Sequence, residues 1–274
     1  MEDDVLNFKI KKSLGQNFLK NEKICQKIVE VAEVENSFVV EIGPGFGALT
    51  QELLKYAKKV VAVEKDKDFM PFLEKKFEGN SKLLIVWEDF LNLDFKRLVE
   101  EHSNGLKVVV CANLPYYITT PILLKILHSK LKCNLTLMVQ KELAVRIVAK
   151  PGTKNCGAIS ALVHYFFKPE IVFNVSKANF FPVPKVESAV IKLTAKEKDE
   201  TLKCEETFLK LVRVSFSQRR KILINPVSFS FNISKEILKE VLNEMGLKGE
   251  ARAEELKLKD LIKLSNFIFK AKKS

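Results

Sequence analysis

Phe38-Val39-Val40-Glu41-Ile42-Gly43-Pro44-Gly45-Phe46-Gly47 decides the fold. Its first five residues, four of them apolar, read as a short buried strand. The strand runs directly into three of the chain's ten glycines. A helical pattern follows from 48 to about 56. A strand, a glycine turn and a helix open a βαβ unit, and in an open α/β sheet that turn marks the ligand crevice. Working outward, residues 60–63 read as a second strand, 83–87 as a third, 107–112 as a fourth and 135–139 as a fifth. Helical patterns lie near 66–77, after Pro121, and near 141–149. Upstream, 22–34 is amphipathic, with Ile24, Ile28, Val31 and Ala32 on one face. Strands alternating with helices predict an α/β, Rossmann-like, mostly parallel sheet. Further strand candidates are 165–173 and 188–193. They are joined by 179–185, where Pro182 and Pro184 force an extended path.

After 193 the pattern changes. Residues 194–206 are charged and carry no periodic apolar stripe. From Phe208 onward apolar residues recur at helical spacing with no convincing strand. The reading is a first domain over 1–195 and a small all-α domain over 196–274.

The chain has 274 residues, 47% hydrophobic and 29% charged. That is ample apolar material to exclude disorder for the bulk of it. Lysine plus arginine is 46 against 34 acidic residues, a net charge of +12. Residues 1–104 carry a net −3, 105–190 a net +8 and 191–274 a net +7. A surplus placed this way suits a polyanion, either nucleic acid or an acidic membrane, although a basic surface without such a partner has the same signature. The five cysteines are scattered with no C-x-x-C pair, so neither a disulfide framework nor a zinc site is indicated. Free thiols fit a reducing cytosol. Met1-Glu2-Asp3-Asp4 lacks a signal peptide's apolar core, and no apolar run approaches the roughly 20 residues that span a bilayer. Nucleic acid is therefore favoured over membrane, in the cytoplasm.

The glycine loop is G-x-G-x-G, a tight turn or a cradle. Glu64 stands 21 residues after Gly43, at the end of the second strand. A carboxylate there can accept hydrogen bonds from both ribose hydroxyls. Two adenosine cofactors fit this pattern, a dinucleotide and S-adenosylmethionine. Glu41 beside the loop would repel a pyrophosphate and favour a sulfonium or an amino group. Asp89, after the third strand, can accept from an adenine amino group or simply cap a turn. Asn113-Leu114-Pro115-Tyr116 follows the fourth strand. Methylating an exocyclic amine calls for two acceptors on its hydrogens, here the Asn113 side-chain oxygen and the Leu114 carbonyl. It also needs a flat face to hold the base, here Tyr116. Phe180, beside the proline segment, closes the other face of the base or belongs to the core.

These motifs together resemble the ribosomal RNA adenine dimethylases of the kasugamycin-resistance type. The resemblance runs almost the full length. It includes Gly15-Gln16-Asn17-Phe18-Leu19, Glu41 through Gly45 and on to Thr50, Glu64, Asp89, and Asn113 through Pro121. It continues with Gln140-Lys141-Glu142 and Arg146, Phe180 through Ser188, Phe216 through Lys221, and Arg252 through Leu256. It implies a class I methyltransferase sheet with a helical C-terminal RNA-binding domain. It implies that Asn17, Leu19, Gly43, Glu64, Asp89 and Asn113 hold S-adenosylmethionine, and that Asn113, Leu114, Tyr116 and Phe180 hold the target adenine. It further implies transfer to the N6 amines of two adjacent adenosines near the 3′ end of small-subunit rRNA, by a monomer acting on an immature small subunit. Ile222-Leu223-Ile224-Asn225-Pro226 departs from the family's more usual Thr-Leu pairing after the basic triplet, which puts rRNA contacts there in doubt. A sister group, the erythromycin-resistance methylases, shares the loop and the N-x-P-Y logic, and a third branch serves as mitochondrial transcription factors. A non-catalytic nucleic-acid binder and a nicotinamide-dependent dehydrogenase are the readings from other classes. Lys9, Lys11, Lys12, Arg146, Arg219, Arg220 and Lys221 are the expected RNA contacts.

Overall fold

A computed structural model describes residue 11 and residues 16–218 and 221–272. By its internal contacts the chain forms two units, residues 1–144 with 170–195 and residues 145–169 with 196–274.

The first unit is built on the strand of the opening motif. β1 (Phe18–Leu19) precedes α1 (Glu22–Ala32), which starts where the Asn21 side chain accepts from the Lys23 amide. β2 (Phe38–Ile42) is buried at every position, as a central parallel strand covered on both faces must be. α2 (Ala48–Tyr56), β3 (Lys59–Val63), α3 (Met70–Lys76), β4 (Leu83–Val86), α4 (Phe95–His102), β5 (Val108–Asn113), α5 (Thr119–Ser129) and β6 (Cys133–Gln140) follow in turn. α6 (Lys141–Val148) comes next. After α7 (Ala158–Phe166) come β7 (Phe167–Val175), β8 (Phe180–Phe181) and β9 (Ser188–Ala195). Among the described residues seven strands form one sheet in the order β4-β3-β2-β5-β6-β9-β7. The first five are parallel, with Glu41 opposite Ala62 on one side and Cys111 on the other, and β9 runs antiparallel to β6. The strand order reverses between β2 and β5, so the loops after both strands open on one crevice. β1 and β8 form a separate two-stranded pair, with Leu19 opposite Phe180.

The sheet is as the sequence predicts, with three local differences. The pattern over 66–77 is a short 3-10 turn, Lys67–Phe69, capped by Asp66, and then α3 with Pro71 in its first turn. Tyr165 and Phe166, read as strand, end helix α7. α4 and α7 are helices that the sequence reading leaves unassigned. α7 is buried at most positions and so shows no polar face to give it a period.

The second unit is helical. α7 packs by Tyr165 against Phe208 of α8 (Glu205–Ser217), ring centroids 4.6 Å apart. α9 (Ile224–Phe231), α10 (Lys235–Glu244) and α11 (Leu258–Ala271) complete it. Residues 145–169 thus group with the C-terminal helices, where the sequence reading places them in the first domain. The His164 ring bonds the Val148 carbonyl at 3.0 Å, and Ser160 Oγ donates to the Arg146 carbonyl at 2.6 Å. Four cysteines are buried and Cys204 is partly exposed. No helix among the described residues is long and apolar enough to cross a membrane.

Candidate active site

The crevice at the carboxyl ends of β2, β3 and β5 is a cavity. It is lined by the glycine loop, by residues 16–19, by Glu64 to Asp66, by Glu88 and Asp89, and by the turn after β5. Gly43, Gly45 and Gly47 all have positive φ, which fixes glycine at the loop. A Cβ at Gly43 would meet nothing within 4 Å, so the backbone there borders open space. At Gly47 a Cβ would lie 2.5 Å from the Phe77 ring.

Glu64 is buried, and both its oxygens are held by backbone. Gly45 N–H donates to Oε2 (3.2 Å) and Asp66 N–H to Oε1 (2.8 Å). Burial raises its pKa, and these amides hold the rise in check. Glu41 is more extreme. It is fully buried, its Oε2 has no hydrogen-bond partner among the described residues, and burial pushes it up to about 8. Nearby Thr50 and Lys76 oppose that rise, and Glu64 adds to it. Asp89 accepts from the Leu91 amide (2.9 Å) and from Lys65 Nζ (2.8 Å). Burial works to raise its pKa, but Lys65 and the Leu91 amide carry it below the ordinary value. The described lining holds five acidic side chains, Glu41, Glu64, Asp66, Glu88 and Asp89, against one lysine, Lys65, and the acids outnumber it even with Glu41 protonated. Such a cavity favours a cation and repels a pyrophosphate, which weighs against the dinucleotide reading.

The turn after β5 supplies the other wall. Asn113 Nδ2 donates to the Asn17 carbonyl at 3.0 Å. That bond orients the amide and leaves Oδ1 as its available acceptor. The Leu114 amide donates to the Met138 carbonyl (3.1 Å), which pins the turn to β6. Tyr116 lines the cavity, and its hydroxyl bonds Ser188 Oγ at 2.9 Å. Burial raises the pKa of the phenol, so it stays neutral.

The profile of the ribosomal RNA adenine dimethylases matches residues 7–270. The chain belongs to that family. It is 42% identical over 263 residues to "Ribosomal RNA small subunit methyltransferase A" of Caldanaerobacter subterraneus subsp. tengcongensis, covering 95% of this chain and 98% of that one. The protein of the same name from Bacillus mycoides is 42% identical over 266 residues, covering 94% and 91%. Among solved structures, a dimethyladenosine transferase from Plasmodium falciparum superposes with a TM-score of 0.77 at 29% identity, covering 92% of this chain and 98% of that one. The 23S rRNA methyltransferase ErmE shares the fold, with a TM-score of 0.71 at 24% identity and coverage of 92% and 99%.

In this adenine dimethylase the structure brings Asn17, Leu19, Gly43, Glu64, Asp89, Asn113, Leu114 and Tyr116 to one cavity. Phe180 is the exception. Its ring is fully buried in the core cluster with Leu19 and Ile28 and is not part of the cavity wall. The cause is apolar packing, since the core cluster takes up the whole Phe180 ring and leaves none of it exposed. Sequence reasoning does not single out Gln16 or Asp66. Gln16 Nε2 and Lys11 Nζ donate to the two Asp66 oxygens at 2.8 and 2.6 Å. Burial works to raise the Asp66 pKa, but Lys11, the Asp68 amide and Gln16 together depress it. The one sequence signal for Gln16 is its place in the Gly15–Leu19 motif. Lys11, expected to contact RNA, ion-pairs with Asp66 and Asp68. Arg146 and Lys221 are exposed, while Lys9, Lys12, Arg219 and Arg220 lie outside the described residues.

Proposed function

We propose that this protein transfers methyl groups from S-adenosylmethionine to the N6 amines of two adjacent adenosines near the 3′ end of small-subunit ribosomal RNA, within an immature small subunit. It would act as a cytoplasmic monomer. The observation that carries the reading is the Asn113 amide, oriented by the Asn17 carbonyl and lining the same acidic cleft as Tyr116. The relatives' names point to the same substrate class.

The residues present fit the cofactor. Gly43 leaves room where a side chain would intrude, and Glu41 offers an unpartnered carboxylate oxygen to a cationic group. Glu64 and Asp89 would take the ribose and the adenine of the cofactor, since each oxygen that already accepts a backbone or lysine N–H keeps a further lone pair. Bound there, the cofactor would supply an electrophilic methyl to N6, with the carbon–sulfur electron pair left on sulfur.

The chain's own residues act on the amine. Asn113 Oδ1 and the Leu114 carbonyl accept from the two N6 hydrogens. This draws electron density onto nitrogen and holds its lone pair toward the methyl. Tyr116 stacks the base, and its bond to Ser188 stiffens the platform. The proton displaced from N6 passes to water, because the alkylated amine is acidic. Phe180 supports this site from the core by fixing β1 through β8.

The test is transfer of labelled methyl to undermodified small subunits. Label should appear in adjacent dimethyladenosines, and its absence from adenosine overturns the reading. Asn113→Ala should lower kcat by about 100-fold while cofactor affinity changes little, since its main bonds to substrate form at the transition state. Equal losses in both would mark Asn113 as purely structural.

A further inference from the structure

Resting on the RNA reading above, we infer that Phe229 stacks on an unpaired nucleobase of the bound RNA, between exposed Asn225 on α9 and exposed Asn232 at the end of that helix. Phe229 is 92% exposed, and the next most exposed large apolar residue among those described, Val183, is 60%. The ring has no packing role. α9 is anchored by Ile224, Val227 and Phe231, all buried. Phe231 is covered besides by Lys210 and Lys272, whose ammonium groups lie 5.0 and 5.1 Å from its ring centre.

Asn225, four residues before Phe229, shares its helix face, and Asn232, which caps the helix three residues after it, is exposed as Asn225 is. Asn232 ends the helix in the left-handed conformation. Lys221 precedes the helix and Lys235 follows it, again both exposed. A flat apolar ring suits a base face, carboxamides suit base edges, and ammonium groups suit phosphates. Charge selects the occupant. The second unit carries 22 basic and 12 acidic side chains, a net of +10, against a net of +2 on the first. A second copy of this chain would bring the same positive surface, whereas RNA complements it. A single ring between polar residues is also too small an apolar area for a stable protein interface.

The experiment uses the full chain and small subunits lacking the modification. Phe229→Ala should raise the KM for subunits about 10-fold, with kcat and cofactor affinity unchanged. Phe229→Trp should stay within about 2-fold of the parent protein, and Phe229→Leu should behave like the alanine variant. Activity of F229A equal to the parent overturns the inference. So does full rescue by leucine, which would assign the ring to an apolar protein pocket. A second readout needs no turnover. The parent chain has one tryptophan, Trp87. F229W fluorescence should be quenched on subunit binding beyond the parent's change, and no added quenching counts against stacking. Failure of the parent chain to methylate subunits, with quenching still present, sinks the catalytic reading and leaves this contact standing.

Discussion

Glu41 shows at the scale of one residue how a cofactor site opposes stability. Its carboxyl sits in a parallel strand with every neighbour buried, and it titrates near 8 against 4.5 for a free glutamic acid. Between those values the unfolded chain is ionised there while the folded chain keeps its proton. Stability therefore falls as pH rises from about 4.5 to about 8, and the loss is constant above that. Glu41→Gln should raise the melting temperature of the ligand-free protein, with a larger gain at pH 9 than at pH 6. An equal gain at both would show that Glu41 is already ionised at pH 6. On the proposed cofactor reading, the same substitution should weaken cofactor binding more at pH 9, where Glu41 is ionised, than at pH 6, where the folded chain keeps its proton. Glu41 and Asn113 are legible from sequence because one lies within and the other ends an unmistakable strand. Phe180 is less so. A phenylalanine before a proline pair looks alike whether it faces a base or the core, and only the burial of its ring in the core cluster tells the two apart.

At the scale of elements, the glycine turn joins β2 to α2, and its glycines do different things. Gly47 precedes α2 with φ +72, and a Cβ there would lie 2.5 and 2.9 Å from Phe77 ring atoms. Gly47→Ala should cost about 2–4 kcal/mol, part from the left-handed backbone and part from displacing the ring. Gly43→Ala carries the backbone cost alone, about 1–2 kcal/mol, since nothing lies near its Cβ. It should therefore harm cofactor affinity more than it harms the fold. Denaturant melts beside cofactor titrations separate the two, and an equal stability loss would refute the Phe77 argument. Strands β2, β3, β5 and β6 are readable from apolar runs because they lie inside the sheet, and the edge strand β4 is readable from its own run of four apolar residues. The tie between Gln16 and Asp66 is not readable, because both sit in connecting segments 50 residues apart and neither segment has a period. α7 is missed for the opposite reason, since burial on most sides leaves it no polar stripe.

For the whole molecule, charge follows the two units more closely than it follows thirds of the sequence. The first, with the acidic cleft, is nearly neutral, and the second carries +10. Binding to small subunits should weaken about linearly in log affinity against log salt. Lys221→Ala should reduce that slope by about one unit. A flat profile would deny phosphate contacts altogether. The sequence reading places the boundary near 195 because the strands end there. It does not foresee that 145–169 joins the second unit, since that grouping depends on contacts such as Tyr165 with Phe208.

The distribution of cysteines has a practical consequence. Burial pushes the thiols of Cys25 and Cys133 up to about 12 and that of Cys111 higher still, and Cys156 is buried as well. Cys204 stands at the start of α8, where the Thr207 hydroxyl and amide hold its pKa below that of an ordinary thiol. A maleimide at neutral pH should therefore attach one dye per molecule, at Cys204, and mass spectrometry of a digest would detect any second adduct. The fold thus provides a single-dye reporter on its helical unit with no engineering of the other four thiols.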